Sequence, residues 1–322
     1  MKNRLCRIVA SLALSLLALL LAGCAEQGAG REPGQARGAI SVSGAWALYP
    51  MMTRWAEAYQ VVHPGVEFDI SAGGAGKGMA DALSGAVDIG MVSREITPEE
   101  QAKGAFWVAV TKDAVFPTVS AENPLLEDLL EKGLTQEILR GIFITGEISD
   151  WGQVLGRPDV GEQIHPYTRS DACGAAETWA KYLGGNQEDL QGIAVFGDPG
   201  LLDAVIKDPL GIGFNNLGYA YDMGSGLPVS GAVILPIDQD GDGLAAEHEL
   251  LETKSEAIEM VANGEYPSPP ARELNLVTSG KPEGLVMDFI HWILTDGQVF
   301  VDEAGYIQLA GDQLEASLLK LE

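Results

Sequence analysis

Two stretches of this chain share one build: a short run of strand character, a cluster of small residues, then the start of a helical pattern. In the first, residues 66–70 lead into Ser71-Ala72-Gly73-Gly74-Ala75-Gly76-Lys77-Gly78 and then Met79-Ala80-Asp81-Ala82-Leu83. In the second, Tyr167-Thr168-Arg169 leads through Ser170-Asp171-Ala172-Cys173-Gly174 into Ala175-Ala176-Glu177-Thr178-Trp179. Strand, tight turn and helix in that order build α/β units with a mainly parallel sheet. The chemistry of both turns suits an anion. Glycines let the backbone approach a ligand closely, the first amides of a helix have no intrahelical acceptor, and the helix dipole favours negative charge there. Arg169 adds a planar fork that matches two oxygens of a tetrahedral oxyanion. Each turn alone would serve equally as a plain strand-to-helix joint; the pair points to one shared oxyanion site.

The alternation continues along the chain. Residues 39–42 read as a strand, and after Ser43-Gly44 comes a helical pattern whose Met51, Trp55, Ala58 and Tyr59 share a face until His63-Pro64-Gly65 ends it. Residues 86–92 read as a buried strand, 107–110 and 115–119 as further strands, and 124–130 and 135–143 as helices. Asp198-Pro199-Gly200 opens a helix over 201–207, and 211–214 and 233–237 are strand-like. A strand over 274–278 and helices over 284–294 and 298–304 close the pattern. Ligands of open α/β sheets sit beyond the carboxyl ends of strands, where both small-residue turns fall.

The amino terminus has a different character. Lys2, Arg4 and Arg7 precede an apolar run from Ile8 to Leu21, and Leu21-Ala22-Gly23-Cys24 follows. The run is short for a membrane span, and the tetrapeptide resembles the site at which bacterial lipoprotein processing acylates the cysteine. Residues 1–23 are therefore expected to be a signal peptide, Cys24 the lipidated residue, and 24–38 a polar tether, which places the working protein outside the cytoplasm. With Cys6 removed and Cys24 acylated, Cys173 is the one remaining thiol, so no disulfide framework is possible. The chain carries 20 basic and 46 acidic residues, a net charge of −26, and removal of the leader takes away only basic ones. Nucleic acid and anionic membrane surfaces are excluded as partners by that field, leaving the lipid anchor as the membrane contact. Any anion site must then be locally positive or rich in backbone donors.

Taken together, Tyr49-Pro50, Trp55-Ala56-Glu57, residues 71–78, Val87-Asp88-Ile89-Gly90, Ser93-Arg94, Arg169-Ser170-Asp171 and Gly211-Ile212-Gly213 resemble the PstS family, the phosphate-binding proteins of ABC transporters. The likeness runs from about residue 39 to 309. It implies a type II periplasmic-binding fold, two α/β lobes joined by crossing strands, with 39–112 and 272–322 in one lobe and 113–271 in the other. It also implies a monomeric solute-binding protein that hands its oxyanion to a membrane permease. The residues it places at the anion are Ala45, Trp46, Ala47, Gly74, Ala75, Gly76, Lys77, Ser93, Arg94, Arg169, Asp171, Cys173, Gly174 and Ala175. Several depart from the family pattern. Ala45-Trp46-Ala47 stands where Ser and Thr are usual, Ala75 where the second turn has Ser, Cys173 and Ala175 where the third has Ser and Thr, and Arg94 where some members place an acid. Each lost charge-assisted bond is worth about 1.5–3 kcal/mol, so Lys77, Ser93 or Arg94 must compensate, or the anion differs: an arsenic, sulfate or molybdate species in place of phosphate.

Asp238-Gln239-Asp240-Gly241-Asp242-Gly243-Leu244-Ala245-Ala246-Glu247-His248-Glu249 matches an EF-hand calcium loop. Oxygens fall at positions one, three and five, Gly at six, the Leu244 carbonyl at seven and Glu249 at twelve, which suits a structural Ca²⁺; a solvated acidic turn is the alternative. Asp171 beside Arg169 is positioned to orient the guanidinium. Cys173 at a helix start near Arg169 reads either as a thiol of lowered pKa or as a small residue standing in for Ser, and Trp46 as a lid or as core. No triad or nucleophile elbow orders Ser93, Asp88, Cys173 and His165, so the reading is a binding protein and not an enzyme. A calcium-dependent surface adhesin would use the acidic loop but leave both small-residue turns unexplained.

Overall fold

The computed structural model describes residues 36–322; the expected signal peptide, Cys24 and most of the tether lie outside them. The chain forms two five-stranded sheets. The first contains β1 (Arg37–Gly44), β2 (Gly65–Ala72), β3 (Ile89–Val92), β4 (Ala105–Asp113) and, from much later in the chain, β10 (Arg272–Ser279), in the order β2-β1-β3-β10-β4. The second contains β5 (Val115–Ser120), β6 (His165–Arg169), β7 (Ile193–Val195), β8 (Gly211–Asn216) and β9 (Ala232–Ile234), in the order β7-β6-β8-β5-β9. In each sheet the parallel pairings occupy one flank, β2-β1-β3 and β7-β6-β8, and antiparallel pairings the other. β1 starts inside the stretch expected as tether, because Arg37 and Gly38 already pair with Gly65 and Val66.

Each sheet is closed by its own apolar core, as burial of one face of every helix requires. In the first, Trp55 and Tyr59 of the helix Tyr49–Val62 pack with Phe289 of the helix Gly284–Leu294. The Tyr59 ring lies edge-on to Phe289 at 4.9 Å and to Trp292 at 5.3 Å, and Trp55 Nε1 donates to the Gly297 carbonyl at 2.8 Å. In the second core Trp179 stacks on Phe214 at 5.7 Å, with Phe143 edge-on to both. The two lobes are joined at Ala114, fully buried between β4 and β5, and again where the chain enters β10 at Arg272.

Register delivers the small-residue turns to one place. Gly44 pairs with Ala72 on one side and Met91 on the other, so the segments after β1, β2 and β3 leave the sheet together. In the second sheet Arg169 pairs with Val195, which sets the start of the helix Gly197–Ile206 beside the end of β6. Several elements were not expected: the short helix Pro98–Ala102 with its Thr97/Glu100 capping box, β7, and the helices Trp151–Leu155, Lys254–Ala262 and Gly311–Leu321. The strand expected over 86–92 begins only at Ile89, because Asp88 turns its carboxylate onto the Ser41 amide and hydroxyl at 2.8 and 2.7 Å. Helix over 135–143 ends as α at Arg140 and continues as a π turn, Gly141–Thr145.

Candidate functional site

The carboxyl ends of the two sheets face each other, and the two small-residue turns touch. The Gly76 amide donates to the Ala172 carbonyl across the lobes at 3.1 Å. Gly74 has φ +93°, and a Cβ on it would lie 2.6 Å from the same carbonyl, so no other residue fits this turn. The contact is equally close at Gly174, where a Cβ would lie 2.2 Å from both the carbonyl oxygen and Oγ of Ser93. Two helices begin here, Ala75–Ser84 and Gly174–Tyr182. The amides of Ala75, Gly174 and Ala175 have no acceptor among the described residues. A cavity of about 290 Å³ opens between the turns, walled by Gly76, Arg94, Ala172, Cys173, Glu177 and Gln187.

Arg169 lies beneath the Asp171–Gly174 turn with its side chain fully buried. Asp171 takes it bidentately, Nε at 2.9 Å and Nη2 at 2.7 Å, and Asp198 takes Nη1 at 2.5 Å. Burial opposes the guanidinium charge, but Asp198 and Asp171 outweigh it and hold the group charged. Three of its five N–H groups are thus engaged by carboxylates. Asp198, at the start of the helix Gly197–Ile206, also accepts from the Asn216 side-chain amide at 2.8 Å, and Asn216 accepts from Arg272. Arg272 in turn meets Asp113 at 3.3 Å and donates to the Ser93 carbonyl at 2.8 Å. A buried polar chain therefore runs from the Asp171–Gly174 turn to both connections between the lobes. Sequence reading missed Asp198, Asn216, Asp113 and Arg272. Asp198 was legible only as part of a helix-opening turn, and Asp113, Asn216 and Arg272 fall outside the strands read over 107–110, 211–214 and 274–278, which the structure extends to reach them.

The remaining expected residues are placed as follows. Ala45 and Ala47 are buried, and the Trp46 and Ala47 carbonyls accept from Tyr219 at 3.3 Å and Tyr306 at 2.7 Å. Trp46 reaches across to the second lobe, against Gly197 and edge-on to Phe196 at 6.0 Å, and its buried indole Nε1 has no partner among the described residues. Lys77 pairs with Asp81 on its own helix, and Ser43 Oγ donates to that same carboxylate. Arg94 binds Glu100 at 2.6 Å and, across the lobes, Glu177 at 2.9 Å. Cys173 caps its helix, its sulfur accepting from the Ala176 amide at 3.4 Å. Burial pushes its thiol up to about 12; Arg169 pulls the other way, but Asp171 and Asp198 oppose it, so the reading of a lowered pKa does not hold. In the acidic loop, carboxylate oxygens of Asp238, Asp240 and Asp242 lie within 4.8 Å of one another. Glu249 stands apart from that trio, buried, its two oxygens accepting from the amides of Gln239 and Ala246. The Leu244 amide donates to Asp242 at 2.8 Å.

Comparison with known proteins gives the family and the fold. The model of the PBP superfamily domain matches residues 29–297. The chain is 25% identical over 311 residues to the phosphate-binding protein PstS of Bacillus subtilis, covering 94% of this chain and 93% of that one. It is 23% identical to the phosphate-binding protein PstS of Methanocaldococcus jannaschii, covering 98% and 95%. Among solved structures, a Clostridium perfringens substrate-binding protein with bound phosphate aligns at TM-score 0.69 and 24% identity, over 85% of this chain and all of that one. An ABC-type phosphate transport receptor from Vibrio cholerae aligns at TM-score 0.61 and 20% identity, over 84% and 100%. With two α/β lobes meeting at paired helix starts and a family model that spans most of its length, the chain belongs to the PBP superfamily.

Proposed function

We propose that this chain captures inorganic phosphate, or a tetrahedral oxyanion of similar size, between its lobes and delivers it to the permease of an ABC importer. The observation that carries this is the set of unpartnered amides of Ala75, Gly174 and Ala175 at two facing helix starts, beside the buried Arg169. In a chain of net charge −26, backbone donors give an anion site that needs few surplus cations. The names of the similar proteins favour phosphate among the oxyanions. Binding without chemistry fits a site whose one thiol is held protonated by burial. Isothermal titration with phosphate, arsenate, sulfate and molybdate tests the reading. Phosphate should bind, and Arg169→Ala should weaken it by about 2–5 kcal/mol, roughly 30-fold to several thousand-fold. Equal binding by the parent and Arg169→Ala would remove the shared site.

Two further parts belong to this reading. The leader and the Leu21-Ala22-Gly23-Cys24 match support an extracytoplasmic lipoprotein acylated at Cys24, and a mature chain isolated from its host without that lipid overturns the anchor. The spacing of Asp238, Asp240, Asp242, Leu244 and Glu249 supports a structural Ca²⁺ in the second lobe.

A further inference from the structure

We propose that Gln187 is a positioning residue for anion capture: its carboxamide clamps the backbone of the Asp171–Gly174 turn and so fixes the direction of the Gly174 and Ala175 amides, a role that rests on the proposed capture of an oxyanion by those amides. Gln187 Oε1 accepts from the Cys173 amide at 3.1 Å, and Gln187 Nε2 donates to the Asp171 carbonyl at 2.7 Å. A carboxamide carries its acceptor and its donors in one plane, and a single orientation of the group satisfies both bonds. The Ala172 carbonyl between them is taken by the Gly76 amide of the first lobe at 3.1 Å. Among the described residues no other side chain bonds the backbone of residues 171–173. The Cys173 amide is thus spent on Gln187, and the two amides that follow it, Gly174 and Ala175, are the ones left without an acceptor.

A chain reversal brings Gln187 to this place. The helix Gly174–Tyr182 ends at Leu183, Gly184 takes a φ of +75°, and the chain doubles back to the start of the same helix. There Asn186 and Asp189 lock the single turn Gln187–Asp189, the Asn186 amide donating to the Asp189 carboxylate at 2.8 Å. Gln187 therefore acts from a turn that is fixed independently of the one it holds. Its half-buried side chain lines the 290 Å³ cavity, whose charged walls are Arg94, Glu177, Lys181 and Glu188. Hydrogen bonds weaken steeply as they bend, so the same two amides on an unclamped turn meet an anion at poorer angles. Rigid support of this kind is what keeps a set of backbone donors aimed at one point.

Calorimetric titration of the full mature chain with inorganic phosphate at pH 7 and pH 4 tests the role with two variants. Gln187→Met keeps the length and the neutrality but neither bond, and should weaken phosphate about tenfold at both pH values. Gln187→Glu keeps the acceptor for Cys173 and sets a carboxylate oxygen against the Asp171 carbonyl. It should lose at least as much at pH 7 and recover toward the parent at pH 4, below the ordinary glutamate pKa of about 4.3, where the protonated group donates again. Parent-like affinity in Gln187→Met, or a loss in Gln187→Glu that does not change with pH, overturns the proposal. A parent that binds no phosphate overturns the capture reading instead, and the clamp is then read from Cys173. Its alkylation rate without any anion should rise about tenfold in Gln187→Glu at pH 8, where the side chain still covers the sulfur and the turn opens more often; an unchanged rate overturns the clamp.

Discussion

Arg169 is shared before any ligand arrives. Asp171 grips it bidentately and Asp198 takes a third N–H, so an anion at the turn meets a guanidinium flanked by two buried carboxylates. Asp171 can be read as the orienting partner. Asp198 competes, since its negative charge lies beside the incoming one in a medium of low dielectric. Asp198→Asn should therefore strengthen phosphate binding by about tenfold, read as a lower Kd by calorimetry. Weaker binding in that variant would assign Asp198 to holding the guanidinium in place. The residue scale was only half legible in sequence. Arg169 and Asp171 are two positions apart and announce each other, whereas Asp198 is 29 residues away and reaches Arg169 only because β7 pairs beside β6.

At the scale of elements, the start of the helix Gly174–Tyr182 must come within contact distance of Ser93 for the lobes to close. Gly174→Ala adds a methyl that would lie 2.2 Å from a backbone carbonyl, which cannot rotate away. The substitution favours the helix locally, by up to about 1 kcal/mol, so the expected result is an intact fold with lobes held apart. Small-angle scattering should show a larger radius of gyration, and phosphate affinity should fall at least about tenfold; an unchanged radius would mean that closure does not pass through this contact. The acidic loop gives the second test at this scale. Calcium binding to the folded loop alone stabilises by RT ln(1 + [L]/Kd), so Ca²⁺ should raise Tm in metal-stripped protein and Glu249→Gln should remove most of the rise. A Tm indifferent to chelation leaves Asp238–Glu249 an acidic turn. Four helices escaped sequence reading. Pro98–Ala102 and Trp151–Leu155 span only five residues each, too few to show a period, Lys254–Ala262 follows the acidic loop, and Gly311–Leu321 is held on the first sheet by Leu314, Leu318 and Leu321 and by Lys320 over the Trp107 ring at 4.4 Å.

For the whole molecule, the connection between the lobes holds a carboxyl whose protonation folding changes. Burial pushes the Asp113 carboxyl up to about 6 from an ordinary 3.8, with Arg272 pulling it partly back. Between those values the folded chain holds a proton that the unfolded chain has released. This group's contribution to stability is therefore fully present below about pH 4 and is lost as pH rises through 6, about 3 kcal/mol in all. Asp113→Asn removes that dependence. Urea unfolding from pH 4 to 7 should show the parent losing about 2 kcal/mol relative to the variant, and parallel stability curves would place the titration elsewhere.

The order of strands and helices, the two Gly-rich turns and the pairing of Arg169 with Asp171 were written in the sequence, because each rests on neighbours a few residues apart: alternation, small residues at tight turns, a donor beside its acceptor. What the Asp171–Gly174 turn is electrically was decided by tertiary structure. The Cys173 thiol rises to about 12, contrary to what its helix start suggests, because folding buries it and brings Asp198 near. Arg94 is drawn to Glu177 of the opposite lobe, and Arg272 meets Asp113 from 159 positions away. Burial and long-range charge pairing depend on which segments the fold apposes, and no local pattern encodes them.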